Sequence, residues 1–291
     1  MAILKLSKLP LFPVVVAREK LARGERTRQL GGEPAVMDEP QGVKEYDEFG
    51  AAGEVGIHHF TALAISRLLP ERGTVIDLGC GSGRLLARLA HGRPDARIIG
   101  LDLSEPMLDT GRQMLEREGL SEGVELRRVD ITTFDAEVPE TPEVVSCNFA
   151  LHHLPSEELA SHCFEAIARV RSRSGCAVWI FDFARLRHPG SWPAITSMIE
   201  WPGPVVCNDA IASERAAFTQ AELIRLLDRA GLNDLQHVRS RPLGEQQAHW
   251  APGRNRPFPV TGLWRERPVP RDARLLTRIA LQSFPRSLTR T

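Results

Sequence analysis

From residue 74 to residue 183 the sequence alternates short apolar runs with stretches of helical periodicity. The apolar runs are rich in Val, Ile and Leu, a composition typical of buried strands, and helical stretches lie between most of them. Because successive parallel strands need a long crossover connection, this alternation predicts a largely parallel sheet covered by helices on both faces. The predicted strands lie at 74–78, 97–101, 124–129, 143–148 and 176–183, and the helices at 84–91, 106–118 and 157–170.

A further helix and two strands are predicted beyond residue 217. The helix covers residues 220–230, where Thr219 is a suitable N-cap and Gly231 a suitable stop. Strands at 235–241 and 245–250 complete a seven-stranded, Rossmann-like α/β sheet. We therefore predict one α/β domain over residues 46–251.

Three segments depart from this pattern. Residues 1–45 are rich in Gly, Pro and charge and are predicted to form an N-terminal extension with at most short helices. Residues 184–217 contain four prolines and two tryptophans, which favour a cap-like insertion over a substrate site. Residues 252–291 form a basic C-terminal tail, and one apolar side of a short tail helix is predicted to dock on the domain or on a second subunit. That side consists of Leu275, Leu276, Ile279 and Leu281.

Charge is distributed unevenly although the net charge is zero. Residues 1–30 hold seven Lys and Arg against two acids, and residues 252–291 hold nine Arg against two acids. The 221 residues between them carry the compensating excess of acids. Such basic ends are compatible with an anionic partner, RNA or an acidic carrier protein, and also with simple solvated termini.

Composition excludes several classes of protein. The apolar run Leu9–Ala17 has about half of the roughly 20 residues that a membrane span needs, and it contains two prolines. The five cysteines are odd in number and form no CxxC pair, so we expect neither a disulfide framework nor a metal site. These features favour a cytoplasmic protein with a reduced set of thiols.

The first strand runs into a glycine-rich turn that opens a helix. After Asp77 the turn carries Gly79, Gly81 and Gly83, where the backbone can turn with positive φ and approach a ligand closely. The dinucleotide fingerprint GxGxxG would instead place its third glycine at position 84, which is Arg84. The spacing therefore counts against an NAD enzyme.

Other polar residues follow the next strands. Asp102 ends the second strand and could accept hydrogen bonds from both ribose hydroxyls of a nucleoside. Asp130 and Ile131 end the third strand and suit an adenine amino group and ring face. Asn148 ends the fourth. Because ligands bind at the carboxyl ends of strands in open α/β sheets, these segments are predicted to converge on one site.

Residues 46–250 resemble class I S-adenosylmethionine (SAM) dependent methyltransferases. The strings LDLSEPML at 101–108 and NFALHHLP at 148–155 are similar to small-molecule methyltransferases, including those of ubiquinone and menaquinone biosynthesis. The resemblance implies SAM as the cofactor, with an N-terminal tyrosine covering it. The residues implied in binding are Tyr46, Asp77, Gly79, Gly81, Gly83, Asp102, Leu103, Asp130, Ile131, Asn148 and Ala150.

A general base is needed only if the methyl acceptor loses a proton. A neutral imidazole suits that task, so His152 and His153 are the first catalytic candidates, followed by Asp182. The histidines could instead be surface residues that open the next helix. Asp182 could instead pair with Arg185 or Arg187.

We predict methyl transfer to a small-molecule metabolite, with the O-, C- or N-acceptor unresolved and a homodimer left open. Residues 148–151 read Asn-Phe-Ala-Leu rather than Asn-Pro-Pro-Tyr, which argues against adenine or glutamine amides as acceptors. The alternatives are an RNA or carrier-bound substrate, an NAD-dependent oxidoreductase and a non-catalytic SAM-binding partner protein. Neither end shows the interleaved aromatics of a single-strand binding groove, so nucleic acid is disfavoured.

Overall fold

The computed structural model describes residues 3–30, 38–52, 55–138, 140–201, 203–254, 256, 258–265, 274–285 and 288. Within these ranges the strands are β1 (Ile3–Leu4), β2 (Thr74–Leu78), β3 (Arg97–Asp102), β4 (Val124–Arg128), β5 (Val144–Asn148), β6 (Ala177–Phe183), β7 (Ile199–Glu200), β8 (Gln236–Arg239) and β9 (Gln246–Ala251). The helices are α1 (Phe12–Leu21), α2 (Pro40–Ala52), α3 (Val55–Leu68), α4 (Arg84–Gly92), α5 (Glu105–Arg117), α6 (Phe134–Glu137), α7 (Glu157–Ser174), α8 (Ser191–Thr196), α9 (Pro204–Ala216), α10 (Gln220–Arg229) and α11 (Arg274–Ser283).

Seven of these strands form one sheet in the order β4-β3-β2-β5-β6-β9-β8. The first five in that order are parallel, whereas β9 is antiparallel to β6 and β8 is antiparallel to β9. The predicted seven-stranded, mostly parallel α/β sheet is confirmed. Strand β2 covers the predicted residues 74–78, and the other strands differ from their predicted bounds by one or two residues at an end.

Helices cover both faces of the sheet because successive side chains of a strand point to opposite faces. In β2, Val75 is buried in one apolar cluster and Ile76 in the other. The first cluster includes residues of α3, α4 and α5, and the second includes residues of α7 and α10. None of the helices in the described ranges is long and apolar enough to cross a bilayer.

The segment 184–217 is largely helical and packs on the N-terminal residues. It contains α8, β7 and α9, and β7 pairs with β1 at the start of the chain. Trp192 is buried and donates from Nε1 to the carbonyl of Ala210 at 2.6 Å, while Trp201 donates to the carbonyl of Thr196 at 2.9 Å. Both tryptophans thus bond within the insertion.

The tail helix α11 lies against α3. Phe284, just after α11, is 5% exposed and stacks on Phe60 with ring centroids 4.4 Å apart. Ala280 is also buried, and Leu281 packs against the same cluster. Ile279, which was predicted to lie on the docking side, is 46% exposed, and the side chains of Leu275 and Leu276 lie outside the described residues. The tail therefore docks on the domain, with a face shifted from the predicted one.

Candidate active site

The glycine-rich turn between β2 and α4 has left-handed backbone at three positions. Gly79, Gly81 and Gly83 have φ of 72°, 53° and 69°. A side chain at Gly79 would overlap the Cβ of Ala150, which follows the end of β5. The turn and the β5 end therefore approach each other more closely than any residue with a Cβ would allow.

Asp77 lies at the centre of a buried hydrogen-bond network. Its Oδ1 accepts from Ser146 Oγ at 2.6 Å and from Asn148 Nδ2 at 2.7 Å. The Oδ1 of Asn148 accepts from Trp179 Nε1 at 3.0 Å, which fixes the orientation of the amide. Asp77 is 1% exposed, and burial raises its pKa to about 7. The carboxyl group can therefore gain or lose a proton near neutral pH.

Two further acids stand at strand ends. Asp102 accepts from the backbone amides of Gly81 at 2.8 Å and Ser104 at 2.9 Å, so it ties the glycine turn to the end of β3. Burial raises the pKa of Asp102. Asp130 accepts from the backbone amide and the hydroxyl of Thr132, both at 2.8 Å. Each carboxylate is half-buried at the carboxyl edge of the sheet.

These strand ends surround one cavity. Ten of the eleven residues predicted to bind the cofactor line it, together with His153. Gly83 lies outside the lining, and an added Cβ there would contact the side chain of Leu126 in β4. Its positive φ instead serves the entry into α4. The predicted convergence of the strand ends on one cavity is thus observed.

Sequence reasoning missed lining residues contributed by α3 and α4. His58 and Thr61, on one side of α3, line the cavity, although α3 precedes the glycine turn and carries no recognisable motif. Arg84 also lines it, and its guanidinium forms a bidentate pair with Asp47, with both contacts at 2.7 Å. This pair fastens α2 to α4 and so holds Tyr46 at the cavity.

The two neighbouring histidines have different environments. Both follow β5 in a 3₁₀ turn (Leu151–His153), but His153 lines the cavity whereas His152 is 2% exposed. His152 Nδ1 lies 2.6 Å from Asp182 Oδ1, and Asp182 Oδ2 accepts from the backbone amides of Leu151 and His152. Of the three catalytic candidates, His153 is therefore the one at the cavity.

Asp182 has a different partner from the two arginines considered above. Arg185 donates to Glu222 Oε1 at 2.7 Å and to the carbonyl of Ala217. Asp182 is itself 1% exposed and is occupied by the histidine turn. Its place in the site is to hold that turn rather than to face the cavity.

Comparison with known proteins gives relatives of one kind. Residues 75–175 match a family model described as a methyltransferase domain. The chain is 36% identical over 101 residues to a trans-aconitate 2-methyltransferase from Variovorax paradoxus. The aligned region covers 34% of this chain and 36% of that protein. It is 28% identical over 204 residues to an uncharacterized methyltransferase of Emericella nidulans. That aligned region covers 65% of this chain and 68% of the other.

The chain spans less than half the length of most of the curated relatives it matches. Among solved structures, it resembles the plantazolicin methyltransferase BpumL in complex with SAH, with a TM-score of 0.56 at 13% identity. That likeness covers 86% of this chain and 98% of the other. At such identity the comparison shows a shared fold.

Proposed function

We propose that this chain, which belongs to the class I SAM-dependent methyltransferases, transfers a methyl group from SAM to an uncharged small-molecule acceptor. The observation that carries the proposal is the convergence of ten predicted cofactor residues and His153 on one cavity. When bound, SAM supplies a methyl group on a positively charged sulfur together with its own leaving group. The chain then has to bind, orient and exclude water.

The cavity fits the cofactor in shape and in charge. Gly79 and Gly81, both at positive φ, carry no side chain, so a ligand can approach the backbone of the turn closely. Asp102 and Asp130 stand where ribose hydroxyls and an adenine amino group would bind. Together with Asp77 they give the cavity an acidic lining, which suits a cofactor that carries an ammonium and a sulfonium.

The same lining supports an acceptor without negative charge. Among the lining residues that the structure describes, Arg84 is the one arginine or lysine, and Asp47 already holds it in a bidentate pair. Apart from the sulfonium of the cofactor, a carboxylate or phosphate acceptor would therefore meet acids and no arginine or lysine beyond the paired Arg84. Phe149 and Leu154 beside His153 add apolar surface that suits a metabolite rather than RNA or an acidic carrier.

His153 is the proposed proton acceptor for a hydroxyl or an acidic carbon. It is half-buried at the cavity, and the unprotonated nitrogen of a neutral imidazole can accept a proton. The buried pair of His152 and Asp182 holds the turn that presents it. An amine acceptor could react without this step.

Calorimetric titration with SAM and with NADH tests the cofactor assignment. We expect SAM to bind and NADH not to bind, and the reverse result would favour the oxidoreductase alternative. Formation of S-adenosylhomocysteine, followed by mass spectrometry against neutral phenols, hydroxy compounds and amines, then identifies the acceptor class.

Variants at two histidines test the proposed base. For an oxygen or carbon acceptor, His153→Asn should lower kcat by about 100-fold or more and leave SAM affinity nearly unchanged. His162→Asn, at an exposed position of α7, serves as the control and should leave both unchanged. Full turnover of an oxygen acceptor by the His153→Asn protein would contradict the role of His153.

A further inference from the structure

Residues 22–30, which we call the N-terminal strap, cross the end of the insertion without forming a helix or strand. The backbone amide of Gln29 donates to the carbonyl of Arg215 at 3.0 Å. Arg26 Nη1 donates to the buried carboxylate of Glu214 at 2.8 Å. The strap is therefore fastened to the last turn of α9.

One side chain of the strap reaches the histidine turn. Arg28 Nη2 donates to the carbonyls of His152 at 3.1 Å and Leu154 at 2.7 Å. Its Nε donates to the carbonyl of Ala216, and its guanidinium lies 3.9 Å from the ring centroid of Phe218. A single guanidinium thus joins the histidine turn and the residue after it to the last residue of α9.

The two bonds to the turn enclose His153. The carbonyls that accept from Arg28 belong to the residues immediately before and after it. The carboxylate of Asp182 accepts from the backbone amides of Leu151 and His152 in the same turn. The turn is therefore held from both sides of its backbone, with little freedom left for the peptide planes that set the direction of the His153 side chain.

The geometry requires a planar, multidentate cation. A guanidinium can donate from several nitrogens in one plane, whereas a lysine ammonium is a single point charge on a flexible stem. Burial lowers the pKa of Arg28 to about 10, so the group stays protonated at neutral pH. An arginine at this position therefore keeps its donors in the working pH range.

We propose that Arg28 is a positioning residue that fixes the histidine turn, so that the strap, although it precedes the domain, completes the active site. This inference rests on the proposed function, since it concerns the orientation of the proposed base. Arg28 does not itself line the cavity; it acts through the backbone carbonyls on either side of His153.

Three variants separate positioning from simple attachment of the strap. Arg28→Met removes all the side-chain hydrogen bonds of Arg28. Arg28→Lys keeps the positive charge but loses the planar set of donors. Arg26→Met removes the pair with Glu214 that holds the strap, without changing a contact to the histidine turn. Imidazole signals of histidine-labelled protein, recorded by NMR across a pH series, report the surroundings of His152 and His153. Calorimetry with SAM shows whether the cofactor site of each folded variant is intact.

We expect Arg28→Met to move the His152 and His153 signals and to lower kcat about tenfold or more, with SAM affinity unchanged. Arg28→Lys should give an intermediate effect. Arg26→Met should lower thermal stability and leave both histidine signals in place.

Wild-type histidine signals and kcat in folded Arg28→Met would overturn the proposal. If that variant does not fold, wild-type histidine signals and kcat in Arg28→Lys would overturn the proposal, because a lysine cannot donate to both carbonyls in the way that a planar guanidinium does. Failure of the proposed function has a different signature. Wild-type protein would then not bind SAM, or His153→Asn would retain turnover, whatever the signals of the Arg28 variants.

Discussion

Replacement of Asp77 by asparagine is expected to change the pH dependence of stability. Burial raises the pKa of this carboxyl group to about 7 in the folded protein, compared with about 3.9 in an unfolded chain. The folded state therefore binds the proton more tightly. The resulting stability is fully present below about pH 4 and is lost as the pH rises to about 7.

The size of the effect follows from the two pKa values. Each unit of difference corresponds to about 1.4 kcal/mol, so ionising Asp77 costs the folded state about 4 kcal/mol over the whole window and about 3 kcal/mol between pH 5 and pH 8. Ser146 and Asn148 both donate to the same oxygen of Asp77. The carbonyl oxygen of an introduced amide can accept both bonds, so Asp77→Asn keeps the neutral network.

Urea denaturation at pH 5 and pH 8 measures this difference. The free energy of unfolding of Asp77→Asn, relative to wild type, should rise by about 3 kcal/mol between the two pH values. Asp95→Asn is a matched control, because hydrogen bonds from Arg93 lower the pKa of Asp95 to about 2 and the group stays ionised throughout. The loss in free energy of unfolding caused by Asp95→Asn should be the same at both pH values. The reasoning would be refuted if the difference in the free energy of unfolding between wild type and Asp77→Asn were the same at pH 5 and pH 8.

Three further outcomes are expected. SAM affinity of the wild type should fall below about pH 7, by up to about tenfold per pH unit, because an ionised Asp77 attracts an ammonium more strongly than a protonated one does. Calorimetry at pH 6 and 8 should find this dependence reduced in Asp77→Asn. Gly81→Val should abolish SAM binding and Asp102→Ala should weaken it by about 1–3 kcal/mol, and unchanged affinity in both would contradict the cofactor assignment. Phe284→Ala should cost about 3–5 kcal/mol in melting experiments, since the ring is buried against Phe60, without altering the salt dependence of turnover.

The sheet could be predicted because buried parallel strands read as continuous apolar runs. Each run ends in the residues that form the cavity, so the strand pattern and the cofactor residues are predicted together. The insertion and the N-terminal strap lack this periodicity. Their order depends on contacts such as Arg26 with Glu214, 188 positions apart, which no local pattern reveals.

The different environments of His152 and His153 could not be predicted from the sequence either. Neighbours in a 3₁₀ turn point about a third of a turn apart, so His152 and His153 cannot both face the cavity. The partner of His152 is set by the sheet register, which places Asn148 opposite Phe181 and so brings Asp182 beside the turn. Thirty positions separate His152 from Asp182, and the pairing follows from strand order rather than from a motif.

The basic ends of the sequence were compatible with an anionic macromolecule as well as with solvated termini, but several of their arginines have partners within the fold. Arg26 pairs with the buried Glu214, and Arg28 donates to three backbone carbonyls. On the C-terminal side, Arg256 contacts Glu143 at 3.3 Å. A phosphate backbone would have to compete with these contacts for the same guanidinium groups. The excess of acids in the middle of the chain and of bases at its ends is therefore consistent with termini that fasten themselves to the domain around a small-molecule site.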